Sequence, residues 1–347
     1  MYDFVIVTHL PAFYKTNLYN AISKKLNIYV IFIASGSAQR TKDFVSLKCD
    51  FDYVVIKEGF FENRSIFPSV IKLTKIIRGL NFQRIVVGGW DLLEFWWIVL
   101  LSTTKKNCLT LESTVFESNV AGFRGRVKKI FLSRIDTVFA SGDLHVDLLK
   151  KLNFSGNIRV TRGVGIINKP AIKSGFSKKE FDHRYLYMGR LSTEKNLHML
   201  VSTFNELPSC SLTIIGSGPL KDDLEKLASK NISFEKHIDN KEIQEIYFNH
   251  DFLILPSVRE PWGLVVEEAL FFGVPVIVSN KCGASELIEQ GVNGYLFDSS
   301  IDGELKRIIK KIMSDTSNSV LMEIGGNEQL VRKDIKQVNE YIRCFGE

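Results

Sequence analysis

Phe252-Leu253-Ile254-Leu255-Pro256-Ser257-Val258-Arg259-Glu260-Pro261-Trp262-Gly263-Leu264-Val265-Val266-Glu267-Glu268-Ala269-Leu270 reads as a short strand, a loop punctuated by proline and glycine, and a helix with a carboxylate on its second turn. The continuous apolar run Phe252 to Leu255 suits a parallel strand covered on both faces. Pro256 ends it. Pro261 fits at or just before the first helical turn, where a missing N–H leaves nothing unsatisfied. From about Gly263 the helix points unpaired backbone N–H groups, those of Leu264 among them, back toward the end of the strand, which makes an anion site. Glu260 and Glu268 are eight residues apart, and both can border one pocket at the carboxyl end of a parallel sheet, where open α/β sheets bind ligands. An anion site flanked by two hydrogen-bond acceptors suits a phosphorylated, hydroxyl-rich ligand.

Outward from this stretch the same alternation continues. Before it, strands are expected at Tyr185–Met188, Ser211–Ile215 and Ile232–Glu235, with helices at Asn196–Leu207, Leu220–Ser229 and Lys241–Asn249; after it come strands at Pro275–Val278 and Gly294–Phe297 and a helix at Asp302–Met313. The first half repeats the pattern. Strands are expected at Phe4–Thr8, Ile28–Ala34, Tyr53–Ile56, Arg84–Val87, Asn107–Leu111 and Thr137–Ala140, separated by helical runs such as Tyr14–Lys25, Pro68–Arg78 and Arg124–Arg134. The fold class is therefore α/β, two tandem Rossmann-like domains facing a cleft. The expected boundaries are a first domain at 1–165, a second, ligand-binding domain at 175–325, and a terminal helix at 326–347 that returns to the first domain.

The bulk numbers fit two globular domains: 347 residues, 45% hydrophobic and 24% charged. Met1 to Val7 begins as a strand without the basic and apolar regions of a signal peptide, so a cytoplasmic location is expected. Five scattered cysteines, none in a C-x-x-C pair, argue against a disulfide framework or a zinc site. The net charge of +6 conceals an asymmetry: residues 1–175 carry 25 Lys and Arg against 13 Asp and Glu, and residues 176–347 carry 20 against 26. A basic half suggests an anionic partner such as phospholipid or nucleic acid, the alternative being an ordinary solvated surface. No zinc-finger, helix-turn-helix or RNA-recognition signature accompanies it, which favours a membrane surface, at the inner face, over nucleic acid. Arg124 to Arg134 mixes cations with an apolar face and is the candidate for that contact, the alternative being an ordinary core helix. Phe95 to Leu101 is too short to span a bilayer and reads as a buried helix, with a lipid-touching face as the alternative.

Three strand-to-helix junctions of the second half share one chemical character. At Gly189-Arg190-Leu191-Ser192-Thr193-Glu194-Lys195 a glycine lets the loop approach a ligand and two cations stand five residues apart, as a diphosphate clamp would. Gly216-Ser217-Gly218-Pro219 offers a backbone that can lie against a nucleotide, and the opening stretch supplies Glu260 and Glu268. Each is weak alone, since short glycine loops commonly just turn the chain. Three at successive carboxyl ends of one sheet converge on one pocket.

These residues carry a resemblance. Gly189-Arg190-Leu191 with Lys195-Asn196, Gly216-Ser217-Gly218-Pro219, Leu255-Pro256-Ser257, Glu260-x7-Glu268-Ala269, Gly273-Val274-Pro275-Val276-Ile277 and Asn293-Gly294-Tyr295-Leu296 resemble, in order over about residues 184–314, the donor domain of retaining glycosyltransferases of family 4, which have the two-domain GT-B fold. The first half resembles the family more loosely, through Pro11-x2-Tyr14-Lys15-x2-Leu18 and Ala140-Ser141-Gly142. The resemblance implies that Arg190 and Lys195 bind the donor diphosphate, Glu268 the ribose hydroxyls, and Glu260 the donor sugar, with backbone N–H groups of Trp262, Gly263 and Leu264 adding contacts. It implies a sugar moved with retention from a UDP- or GDP-sugar to a glycan or lipid-linked acceptor, in cell-surface polysaccharide biosynthesis, with no cofactor and no metal. Where several relatives carry a histidine, this chain has Leu111-Glu112-Ser113-Thr114, so Glu112 either contacts acceptor or sugar or caps the next segment; His9 is a further cleft candidate. Asp50-Phe51-Asp52 has the form of the metal-binding pair of the rival GT-A enzymes, but its place just before a strand suits a turn. Other GT-B chemistry, an epimerase or phosphorylase, and a catalytically idle binding subunit remain as alternatives. Base selectivity is expected near His237 to Asn240.

Overall fold

A computed structural model of the chain describes residues 1–40, 44–172, 181–236, 242–314 and 327–345, with the side chains of 327–329 left aside. The segment 237–240, expected to touch the base, lies outside the described residues. The chain divides into two units, Met1–Asn168 with Lys333–Glu347, and Lys169–Arg332.

The first unit is a parallel sheet of seven strands: β1 (Tyr2–Thr8), β2 (Ile28–Gly36), β3 (Asp52–Phe60), β4 (Phe82–Val87), β5 (Asn107–Leu111), β6 (Thr137–Ala140) and β7 (Asn157–Val160), in the order β3-β2-β1-β4-β5-β6-β7. Successive residues of a strand point to opposite faces, and both faces here are covered. Val5, Val7, Ile85, Val87 and Val138 meet α2 (Ile66–Gly79), α3 (Leu93–Leu101), α4 (Gly122–Leu132) and α5 (Asp143–Lys151), which follow α1 (Phe13–Ser23) in the chain. Phe4, Ile6, Val86 and Phe139 face the opposite layer, made by α1 and the C-terminal segment. There Tyr341 stacks on Phe139 at 4.1 Å and Phe345 lies edge-on to Phe4 at 4.6 Å. Gln337 Nε2 donates to the Gly163 carbonyl at 2.8 Å, and Arg159 Nη2 to that of Arg343 at 2.8 Å.

Two elements differ from the sequence reading. β3 runs on to Phe60, because it pairs with β2 past an irregularity at Ala34–Gly36; as an exposed edge strand it needs no apolar run there. α3 is only half buried. Phe95, Ile98 and Val99 enter the core while Leu93, Trp97, Leu100 and Leu101 stay exposed, since a helix of this pitch can turn only one side toward the sheet.

The second unit is a parallel six-stranded sheet of β8 (Arg184–Met188), β9 (Ser211–Ile215), β10 (Ile232–Glu235), β11 (Phe252–Leu255), β12 (Val276–Ser279) and β13 (Gly294–Phe297), ordered β10-β9-β8-β11-β12-β13. Its helices are α6 (Leu197–Asn205), α7 (Lys221–Leu227), α8 (Ile243–Phe248), α9 (Leu264–Phe271) and α10 (Glu304–Ser314); α11 (Asn327–Ile342) then leads into the terminal segment. β11 and β12 are buried along their whole length, as the apolar runs require. In each sheet the chain reverses its direction of spread at a central pair, β1/β4 and β8/β11, and the loops leaving such a pair part to open a crevice.

Candidate functional site

In the second unit the crevice lies between the loops after β8 and β11. The β8 loop is held rigidly: Tyr187 Oη donates to the Arg190 carbonyl at 2.8 Å, Leu191 N to the Ser217 carbonyl at 2.9 Å, and Val258 N to the Glu194 carbonyl at 3.0 Å. A short 3-10 turn, Thr193–Lys195, brings Lys195 Nζ onto Glu260 Oε2, an ion pair whose side chains are 12% and 11% exposed. Ser257 Oγ donates to the same oxygen at 3.1 Å. Arg190 is half exposed and leans on Glu194, with Nη2 to Oε1 at 3.4 Å. The two cations assigned to a diphosphate thus share a loop, and each has a carboxylate partner. An ammonium has three donors, so Lys195 retains N–H groups beyond the one that Glu260 takes.

The glycines after β9 have a packing role in the crevice wall. A Cβ at Gly216 would lie 1.9 Å from the Gly189 carbonyl oxygen, and one at Gly218 would lie 2.3 Å from that of Leu191. They let two loops of the crevice wall close on each other, with Pro219 at the turn into α7.

Beyond β11, Gly263 caps α9 with φ +100, a left-handed conformation that glycine adopts without strain. The opening N–H groups of α9, at Leu264 and Val265, have no acceptor within the helix. Trp262 is buried, and its indole N–H is bound by Glu267, not Glu268. Glu268 lies about 100° further round the helix, where Tyr247 Oη donates to its Oε2 at 3.3 Å. Burial pushes the Glu268 carboxyl up to about 7; the Tyr247 hydrogen bond opposes this and the neighbouring Glu267 adds to it. Glu267 was not singled out in the sequence; a tryptophan five residues ahead of it was the signal available.

The first unit has its own pocket, about 500 Å³, at the carboxyl ends of β1, β4 and β5. His9, after β1, sets Nε2 2.8 Å from Asp91 Oδ2, after β4, and its ring is wedged edge-on against Phe95 at 5.0 Å. Lys15 Nζ lies 2.7 Å from Glu112 Oε1, with side chains 8% and 26% exposed. Burial works against the Lys15 charge, but the adjacent Glu112 carboxylate outweighs it and holds the ammonium above its ordinary range. Glu117 takes the Thr114 N–H at 3.1 Å, and the Glu112 side chain turns to Lys15. Trp90, Phe44 and Phe61 supply aromatic walls. Asp52 opens β3 at the amino end of the sheet and accepts the Tyr2 hydroxyl at 2.8 Å, so the Asp50–Asp52 pair stands away from this pocket. Among the described residues no group of three or more His, Cys, Asp or Glu is placed to hold a metal.

Residues 168–328 match the family model of the glycosyl transferases group 1. Among curated relatives, the sulfoquinovosyl transferase SQD2 of Arabidopsis thaliana is 28% identical over 162 residues, covering 46% of this chain and 32% of its own length. The lipopolysaccharide core biosynthesis glycosyltransferase LpsE of Rhizobium meliloti is 29% identical over 149 residues, 42% of this chain and 43% of its own length. The chain thus spans less than half the length of these relatives. Among solved structures, Anabaena HepE in complex with UDP superposes with a TM-score of 0.74 at 16% identity, covering 98% of both chains. Sucrose-phosphate synthase from Thermosynechococcus elongatus does so with a TM-score of 0.70 at 17% identity, covering 99% of both.

Proposed function

Because residues 168–328 match the family model of the glycosyl transferases group 1 and the two sheets are of the GT-B type, we propose that the chain is a retaining glycosyltransferase. It moves a sugar from a nucleoside diphosphate sugar to a glycan or lipid-linked acceptor in polysaccharide or glycolipid assembly, peripherally at an anionic membrane, without a metal. The observation that carries this reading is the Lys195–Glu260 pair at the β8/β11 switch point, beside the amino end of α9. Glu260 takes the sugar hydroxyls, Lys195 and Arg190 the diphosphate, and Glu268 the ribose. The ion pair therefore stands at the junction of sugar and phosphate, where the bond breaks.

As the anomeric C–O bond parts, its electron pair goes to the phosphate oxygen. The acceptor hydroxyl bonds to the same face of the anomeric carbon and gives its proton to that departing oxygen. Lys195 and the N–H groups opening α9 meet the growing negative charge in a fixed arrangement, which lowers the barrier without reorganisation. No separate base is demanded. The pocket of the first unit, with His9, Asp91, Lys15 and Glu112 among aromatic walls, is the acceptor side. Anabaena HepE is known in complex with UDP and with UDP-glucose, which favours UDP as the nucleotide.

Thermal stabilisation by a panel of UDP-, GDP- and ADP-sugars tests the donor: a ligand at a hundred times its dissociation constant adds about 2.7 kcal/mol. One nucleotide class is expected to stabilise, with α-linked donor giving α-linked product by NMR and turnover unchanged by EDTA. Inverted product or loss of turnover in EDTA would overturn the retaining or metal-independent reading respectively.

A further inference from the structure

α2, α3 and α4 cover the same face of the first sheet, and their outer side is apolar where a solvated helix layer is polar. Phe67 is 76% exposed, Ile71 56%, Leu93 62% and Leu100 59%, and they border an open groove of about 1100 Å³ between α2 and α3. α2 buries only Ser69 and Leu73. The groove is held in shape from within: Trp97 Nε1 donates to Thr74 Oγ1 at 2.8 Å, which satisfies the indole and leaves its ring 42% exposed, and Arg64 fixes the start of α3 through Glu94 at 2.9 Å. Trp96 packs edge-on to Phe131 of α4 at 4.8 Å, so α4 continues the layer and adds Phe123, 80% exposed, and Ile130, 61% exposed.

Charge selects the occupant. The three helices carry seven Lys and Arg, of which Lys72 and Lys128 are held by backbone carbonyls of Ile56 and Asn119, and a single acid, Glu94, which is fully buried against Arg64. A second copy of the chain placed on this face by a two-fold axis would set cation against cation. An anionic bilayer offers what the face lacks: hydrocarbon for the exposed Phe, Leu and Trp side chains, and phosphates for the cations around them. Among the described residues no helix is long and apolar enough to cross a membrane, which leaves the face to lie on one.

We propose that the α2–α3–α4 face is a membrane-docking surface for anionic phospholipid, in which α3 and the start of α2 enter the acyl boundary and the cations of α2 and α4 engage headgroups. This rests on the membrane association proposed above and deepens it: a single basic amphipathic helix at Arg124–Arg134 is replaced by a layer of three helices with α3 as its apolar anchor.

Flotation of the whole chain with vesicles of phosphatidylglycerol mixed into phosphatidylcholine, against phosphatidylcholine alone, tests it. Binding is expected to the mixed vesicles and to be about tenfold weaker or more without the anionic lipid. Leu93→Ser with Leu100→Ser removes two already exposed side chains and is expected to weaken binding about tenfold or more, with nucleotide binding retained as the check of the fold. Arg126→Gln with Lys129→Gln should weaken it less and remove part of its salt dependence. Trp97 emission should be quenched by bromolipid, and the quenching lost in Trp97→Phe. Binding that survives unchanged in the leucine variant overturns this assignment while leaving membrane association standing. No binding to mixed vesicles overturns both. A dimer whose formation is abolished by the leucine variant would assign the face to a second copy instead.

Discussion

Glu268 offers a test in which pH reads the site directly. Its carboxyl, ordinarily at 4.5, is pushed up to about 7 by burial, yet ribose hydroxyls need it ionised in order to donate to it. If a nucleoside diphosphate sugar binds only the carboxylate form, the apparent dissociation constant rises by one plus the ratio of protonated to ionised Glu268. That factor is about 1.1 at pH 8, about 2 at pH 7 and about 11 at pH 6, so binding should weaken about tenfold, or about 1.4 kcal/mol, from pH 8 to pH 6. Donors whose phosphates stay ionised over this range keep the ligand out of the titration. Calorimetry at several pH values on the wild type and on Glu268→Gln is the assay. The variant should bind about tenfold to a hundredfold more weakly at pH 8, having lost charged hydrogen bonds worth about 1.5 to 3 kcal/mol each, and its profile should be flat. A flat profile in the wild type, or an equal slope in the variant, would refute the assignment.

The same group predicts stability in the absence of ligand. A carboxyl raised in the fold binds more protons folded than unfolded, so its contribution falls as pH rises from 4.5 through about 7, by at most about 3 kcal/mol. Glu268→Gln should therefore be more stable than the wild type at pH 8 and match it near pH 4, as thermal melts can show. Lys195→Ala leaves Glu260 buried without its cation and should cost about 3 to 5 kcal/mol in urea unfolding, part of which the Lys195→Ala/Glu260→Ala pair recovers. Arg190→Ala should change stability by no more than about 0.5 kcal/mol, its partner being solvated, while weakening nucleotide binding. Glu112→Gln should raise the KM for acceptor and leave donor affinity unchanged; an altered donor affinity would place Glu112 on the other substrate.

Much of this architecture was legible because its signals are local. The run Phe252–Leu255, the prolines after it and the spacing of Glu260 and Glu268 each depend on neighbours a few residues away. What escaped depends on distance along the chain. Lys195 and Glu260 are separated by 65 residues and His9 and Asp91 by 82, and only the reversal of strand order at β8/β11 and β1/β4 brings each pair together. Adjacent glutamates are equivalent in composition; which of Glu267 and Glu268 serves the indole and which stays available is settled by a rotation of 100° and by the position of Tyr247. Whether α3 is buried or turns a face outward is left open by the sequence for another reason: apolar residues on every side say that a helix avoids water, not what it meets instead.

The terminal segment has a consequence for synthesis. Tyr341 and Phe345 cover Phe4 and Phe139, which leave the ribosome well before them. The second unit, contiguous from Lys169 to Arg332, can complete its sheet while translation continues, whereas the first waits with one apolar face uncovered until the segment from Lys333 onward has been made. The half begun first is thus finished after the half that follows it, and a chain cut just before Lys333 would carry a folded second unit and a first one with an uncovered apolar face.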